Sequence, residues 1–110
     1  MGFLSRLFGG DAPDPAVAAA LVEGGTVVDV RSEAEFVGGH ADGARNFPLP
    51  ALPWRLDELR GLPTPLVLCC RSGARSTRAL QVLAKAGLSG VNGGSWRAVV
   101  RAQAAVAKTN

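Results

Sequence analysis

The stretch Leu66-Val67-Leu68-Cys69-Cys70-Arg71-Ser72-Gly73-Ala74-Arg75-Ser76 places thiol, guanidinium and glycine side by side. An apolar, strand-like run ends at a cysteine. A short loop follows, and a helical pattern opens straight after it. Such a loop turns its backbone N–H groups, and the positive end of the helix, back toward the thiol. A thiolate held there is stabilised, so the cysteine becomes a nucleophile at neutral pH. The expected chemistry is nucleophilic attack by sulfur on an anionic substrate.

Other chemistries are excluded by what is missing. Cys69 and Cys70 are the only cysteines. Adjacent cysteines rarely pair, because the bond strains the peptide between them, so no disulfide framework is expected and a reducing cytoplasm is the natural setting. Two neighbouring thiols and a single histidine, His40, do not make a normal zinc site. No metal or cofactor is therefore expected. No apolar run approaches the ~20 residues needed to cross a membrane. Near the start, Phe3, Leu4, Leu7 and Phe8 can form one apolar turn that touches a membrane or a partner; the plainer reading is a frayed start that packs locally.

The charge is unevenly distributed. Residues 1–58 hold all nine acidic groups and four arginines, a sum of −5, whereas residues 59–110 hold eight Lys and Arg and no carboxylate, a sum of +8. The cysteine lies in the positive half, which draws anions toward it. Nucleic acid is not the expected partner, because the basic residues are dispersed and no nucleic-acid-binding motif accompanies them.

Positioning this loop requires a scaffold. With 110 residues, 47% of them hydrophobic, the chain fits one small domain with a single core. Residues 1–13 read as an N-terminal extension and 14–110 as the domain. Asp14-Pro15 opens a helix over Ala16 to Glu23, closed by Gly24-Gly25. Thr26 to Val30 is a buried strand. Ser32 and Glu35 form a capping box that opens a short helix at Glu33, and Gly38-Gly39 stops it. Ala44 to Leu49 reads as extended, and Pro50 to Arg60 as irregular or weakly helical. Leu66 to Cys69 is the clearest strand. Ala74 to Ala86 is the clearest helix, with Ala79, Leu80, Leu83 and Ala86 facing inward. Gly90 to Asn92 is a brief strand, Gly93-Gly94 a tight turn, and Trp96 to Ala107 a final helix. Alternating strands and helices predict an α/β fold: a small open, mostly parallel sheet of four to five strands with helices on both faces. In such sheets the site lies beyond the strand carboxyl ends, where Asp29 and Cys70 both fall.

Three segments carry a resemblance. Asp29-Val30-Arg31, Glu35-Phe36, Gly39-His40, Gly43-Ala44, Asn46 and Pro48 stand at the spacing of the first signature of rhodanese-type sulfurtransferases. Cys70 to Ser76 resembles that family's active-site loop, and Asn92-Gly93-Gly94-Ser95-Trp96 its closing Gly-Gly…Trp element. The matches occur in order and span roughly Pro15 to Val100. Ala41 departs from the pattern, standing where the family usually has a larger aliphatic residue; the expected effect is on packing only. The resemblance implies a single-domain rhodanese in which Cys70 carries sulfur as a persulfide.

A persulfide is an anion that needs surrounding donors and no nearby carboxylate. The N–H groups of Arg71, Ser72, Gly73, Ala74, Arg75 and Ser76 supply such a ring, with Gly73 allowing the turn. Arg71 and Arg75 are expected to hold the sulfonate of thiosulfate. The expected partners are a small anionic sulfur donor (thiosulfate, polysulfide or a persulfide) and a thiol or cyanide acceptor, a protein thiol included. Two rivals remain. Counted from Cys69, Arg75 satisfies the Cys-x5-Arg spacing of cysteine phosphatases and arsenate reductases, although Ser72 stands where their loops usually carry glycine. A non-catalytic binding module is the other, although such modules usually lack the cysteine.

Supporting residues have plainer readings. Asp29 caps the short helix or orients the loop. Arg31 forms an i, i+4 ion pair with Glu35. His40 holds a turn by hydrogen bonding. Trp54 and Trp96 pack, with Trp54 placed to rim the pocket, and Cys69 is a buried, inert thiol.

Overall fold

The computed structural model describes residues 13–109. The apolar N-terminal residues Phe3 to Phe8 lie outside that range.

Helix α1 spans Pro15–Val22. Asp14 caps it, accepting the Ala16 N–H at 2.8 Å, and Pro15 takes a first-turn position that has no N–H to satisfy. Strand β1 is Thr26–Asp29, and helix α2 is Glu33–Val37. The capping box is complete: Glu35 N–H donates to Ser32 Oγ at 3.2 Å, and Ser32 N–H donates to Glu35 Oε1 at 3.1 Å. Strand β2 is only Arg45–Asn46. The proline-rich stretch that follows is more ordered than its sequence suggests. It forms a 3-10 helix over Leu49–Trp54 and helix α3 over Leu56–Arg60, anchored by buried Leu52 and Leu59. Strand β3 is Leu66–Cys70, helix α4 Ala74–Lys85, strand β4 Val91–Ser95 and helix α5 Trp96–Thr109.

The described residues form a four-stranded, fully parallel sheet in the order β2-β1-β3-β4. Four of the expected four to five strands fall among the described residues, and a further strand preceding α1 would lie outside them. Chain direction across the sheet reverses between β1 and β3, so the crevice at their carboxyl ends is the natural ligand site of this topology. Asp29 lies beside Cys69 there, one residue before Cys70.

Side chains alternate across the sheet. Val28, Leu66, Leu68 and Cys70 pack on one face with Phe47, Leu52, Leu59, Ala79 and Leu83. Val27, Val67 and Cys69 pack on the other with Val17, Ala20, Ala41, Val99 and Ala102. Each Val, Leu or Phe side chain among them stabilises the fold by about 1.5–3 kcal/mol on burial. Helix α2 is different: none of its residues is buried. Polar bonds, not apolar burial, must hold it in place.

The Gly93-Gly94 turn expected from sequence is instead part of β4. Gly93 is buried where β4 meets β3 and α5. A Cβ there would lie 2.8 Å from Val99 Cγ2 and 2.9 Å from Val67 Cγ1. The glycine is needed for close approach, and the strand takes a register irregularity opposite Leu68 and Cys69 to fit it.

Candidate active site

Cys70 is the last residue of β3, and its loop closes over the sulfur. Gly73 takes a left-handed φ of +104°, which is strained for residues with a Cβ, and its N–H points at Cys70 Sγ from 2.9 Å. Helix α4 begins at the next residue, directing its positive end at the same atom. Ser76 Oγ lies 3.7 Å from Sγ. Burial pushes the Cys70 thiol up. The Ser76, Ser72 and Gly73 N–H groups and the Ser76 hydroxyl more than offset this, so its pKa lies below the ordinary thiol value.

Cys69 has the opposite setting. It is fully buried on the far face of the sheet, and desolvation, with the Asp29 carboxylate adding to it, pushes its thiol up to about 12. It is the inert thiol expected. A nucleophile counted from Cys69, which the phosphatase reading requires, therefore faces away from the loop and is held in its neutral form.

The basic residues are placed differently from expectation. The i, i+4 ion pair between Arg31 and Glu35 does not form. Arg31 turns back onto Asp29 instead, with Nε and Nη2 donating to the carboxylate at 3.0 and 2.8 Å. Its Nη1 and Nη2 also donate to the carbonyls of Glu35 and Gly39, at 3.3 and 2.6 Å. Asp29 thus caps no helix; it satisfies a buried guanidinium. That guanidinium fastens α2 and the Gly39 turn to the end of β1. Asn46 completes the junction, donating to the carbonyls of Asp29 and Arg31 at 3.0 and 2.9 Å.

The Glu35 carboxylate goes to Arg75, whose Nη1 and Nη2 donate to its two oxygens at 2.7 and 3.0 Å. Arg75 is therefore engaged by a carboxylate and does not offer its fork to a sulfonate as expected. Arg71 is exposed. It lines a cleft of about 560 Å³ together with Gly38, Gly39, Trp96 and Arg97, which borders the loop at Arg71. Trp96 lies between two guanidinium groups, Arg31 at 4.8 Å and Arg97 at 4.6 Å from its ring centroid. His40 holds a turn, as expected: Nδ1 lies 2.8 Å from the Phe36 carbonyl and the ring stacks on Phe36. Trp54 neither packs nor lines the cleft; it is 85% exposed. No group of three or more potential metal ligands occurs among the described residues.

A model of the rhodanese-like domain matches residues 14–101. The chain belongs to the rhodanese-like family. Among its relatives, the thiosulfate sulfurtransferase GlpE of Pseudomonas putida (strain GB-1) is 34% identical over 100 residues, covering 84% of this chain and 88% of that protein. YqhL of Bacillus subtilis (strain 168), an uncharacterized protein, is 48% identical over 61 residues. The chain spans only 48% of that relative's length. Among solved structures, the human single-domain sulfurtransferase TSTD1 superposes with a TM-score of 0.61 at 26% identity, covering 79% of this chain and 91% of that one. The rhodanese-like fold therefore accounts for the four parallel strands, the loop after β3 and the helix that follows.

Two contributors escaped the sequence reading of this rhodanese-like site. By spacing Glu35 belongs to the capping box and to Arg31, yet its carboxylate serves both Ser32 and Arg75. Asn92, read only as part of the closing element, accepts from Ser76 Oγ at 2.7 Å. Its position just before a Gly-Gly pair was the available signal.

Proposed function

We propose that this chain is a sulfurtransferase that moves sulfane sulfur from a small anionic donor to a thiophilic acceptor through a persulfide on Cys70. The observation that carries this reading is the Gly73 N–H at 2.9 Å from Cys70 Sγ, in a loop that holds no carboxylate. The nearest acids support it, because Asp29 and Glu35 are neutralised by Arg31 and Arg75.

With thiosulfate as donor, the Cys70 thiolate attacks the outer sulfur. A new S–S bond forms on Cys70, the S–S bond of thiosulfate breaks, and sulfite leaves with its electron pair. The charge moves to the outer sulfur of the persulfide, where loop N–H groups receive it. Cyanide or a thiolate then attacks that outer sulfur, leaving as thiocyanate or a new persulfide and restoring the Cys70 thiolate. No side-chain base is needed, since the thiol is already acidified. Arg71 is the loop cation open to the donor's sulfonate, and Arg75 keeps the loop in place. Cys70 is only 1% exposed, which favours a donor presenting a slim terminal sulfur over a bulky electrophile.

Mass spectrometry after incubation with thiosulfate tests the reading. A gain of one sulfur atom on the Cys70 peptide, discharged by cyanide, is the expected result. An unmodified protein that yields no thiocyanate would favour a non-catalytic module.

A further inference from the structure

Asn92 sits on β4 and makes no contact with the Cys70 sulfur, yet its hydrogen bonds reach that sulfur through one proton. The amide has a determined orientation. Its Oδ1 accepts the Gly94 N–H at 2.9 Å, and its Nδ2 donates to Thr77 Oγ1 at 3.0 Å. Thr77 Oγ1 gives its own proton to the Gly73 carbonyl at 2.9 Å. The remaining neighbour of Oδ1 is Ser76 Oγ at 2.7 Å. An amide oxygen can only accept, so Ser76 is the donor.

Ser76 has one hydroxyl proton and three acceptors around it. Asn92 Oδ1 lies at 2.7 Å, the Gly73 carbonyl at 3.0 Å and Cys70 Sγ at 3.7 Å. While Cys70 is a thiol, its S–H donates to Ser76 Oγ and the Ser76 proton stays with Asn92. Once Cys70 ionises, that same proton becomes the side-chain donor the thiolate can recruit. Turning it toward sulfur orphans nothing. Asn92 Oδ1 keeps the Gly94 N–H, and the Gly73 carbonyl keeps the Thr77 hydroxyl. The hydroxyl is therefore a rotor with two satisfied settings.

We propose that Asn92 is a positioning residue that competes with the Cys70 thiolate for the Ser76 proton, leaving the thiolate less stabilised and more nucleophilic than the loop alone would make it. Thiolate nucleophilicity falls as the thiolate is stabilised, so withholding one donor makes each thiolate, once formed, the faster attacker on the donor sulfur. When the sulfur is loaded, the charge moves out to the terminal atom and the proton returns to Asn92. The proposal rests on Cys70 being the sulfur-accepting nucleophile. Cys69 and Arg75 are the titratable or charged groups that interact with that thiol, Arg71 follows it in the chain, and Asn92 hydrogen-bonds to Ser76, Thr77 and Gly94 and to none of them.

The test is the rate of Cys70 alkylation by iodoacetamide against pH, read on the Cys70 peptide, in Asn92→Ala and Asn92→Asp, each with and without Ser76→Ala. Asn92→Ala releases the proton to the thiolate and should lower the midpoint by roughly half a unit to one unit. Asn92→Asp holds the proton more tightly and adds a negative charge, so it should raise the midpoint. In the Ser76→Ala background the Asn92→Ala shift should vanish and the Asn92→Asp shift should shrink to its through-space part. A residue that merely clamped the loop would raise the midpoint in both variants, because a loosened loop withdraws its N–H groups. An unchanged or raised midpoint in Asn92→Ala overturns the proposal, as does a fall that persists without the Ser76 hydroxyl. If Asn92→Ala does not fold, an Asn92→Asp shift of the same size with and without Ser76 overturns it. Alkylation requires no sulfur donor. The expected shifts in a protein that takes up no sulfur would therefore overturn the sulfurtransferase reading, and with it the effect on sulfur uptake, while the competition of Asn92 with the thiolate for the Ser76 proton would stand.

Discussion

Glu35 on α2 and Arg75 on α4 close on each other through two hydrogen bonds, at 2.7 and 3.0 Å, and tie the base of the Cys70 loop to a helix with no buried residue of its own. The tie changes what the loop arginines do. One is structural, and Arg71 faces the cleft.

The tie has a defined response to acid. The Arg75 guanidinium, assisted by the Ser32 N–H, lowers the Glu35 carboxyl from 4.5 to about 2. A folded-state value below the unfolded one means that the contribution is present above the unfolded value and is lost as pH falls through the folded one. Denaturant midpoints of the wild type and Glu35→Gln should therefore differ at neutral pH and converge as pH drops from 4.5 to about 2. A constant gap across that window would show that the carboxylate contributes nothing through Arg75.

The two cysteines should separate cleanly. Cys70→Ser should abolish thiocyanate formation from thiosulfate and cyanide while leaving the melting temperature nearly unchanged. Cys69→Ser should keep most activity and melt lower, because it places a hydroxyl in a fully buried apolar cluster. The opposite pattern of activities would reassign the nucleophile.

The pH profile of sulfur loading should follow the Cys70 thiolate. The rate should climb with pH and level off at a midpoint below the unperturbed value of about 8.5, since the loop N–H groups lower this thiol. A midpoint at the unperturbed value would mean that the loop does not activate it.

The arginines should divide by role. Arg71→Ala should raise KM for thiosulfate by about 10-fold with little change in kcat, the loss expected for one charge-assisted contact. Arg75→Ala should instead raise the thiol midpoint and lower stability, and Arg78→Ala, which removes an exposed arginine farther along α4, should do neither. Equal effects in all three, each erased by salt, would show bulk attraction of anions by the basic half.

Asp29→Ala should destabilise the fold by about 3–5 kcal/mol, because it leaves the buried Arg31 guanidinium without its counter-charge. Urea unfolding would measure it. A change of a few tenths would mean that the carbonyls of Glu35 and Gly39 satisfy Arg31 unaided.

Local sequence signals served well where a residue answers to its near neighbours. The Ser32–Glu35 capping box, the Asp14-Pro15 helix start and the Cys70 loop with Gly73 at its turn were all legible. Signals failed where a distant element decided. Arg31 and Glu35 stand at ion-pairing distance on an isolated helix, but Asp29 and Arg75 outcompete that pairing with better-buried or better-forked geometry. Gly93-Gly94 reads as a turn because nothing local reveals that Val67 and Val99 leave no room for a Cβ. Trp54 reads as a packing residue by composition, yet Leu52, two residues before it, is the one the 3-10 helix buries.

Cys69 and Cys70 are neighbours in sequence but project to opposite faces of one strand, each within its own apolar cluster. Within these 110 residues there is no other thiol. On the proposed function, a sulfur atom taken up by Cys70 has no third thiol within these residues to resolve it, and Cys69 faces the other way. Its lifetime would then be set by how soon an acceptor arrives from outside, and a scarcity of acceptor would let the loaded form accumulate.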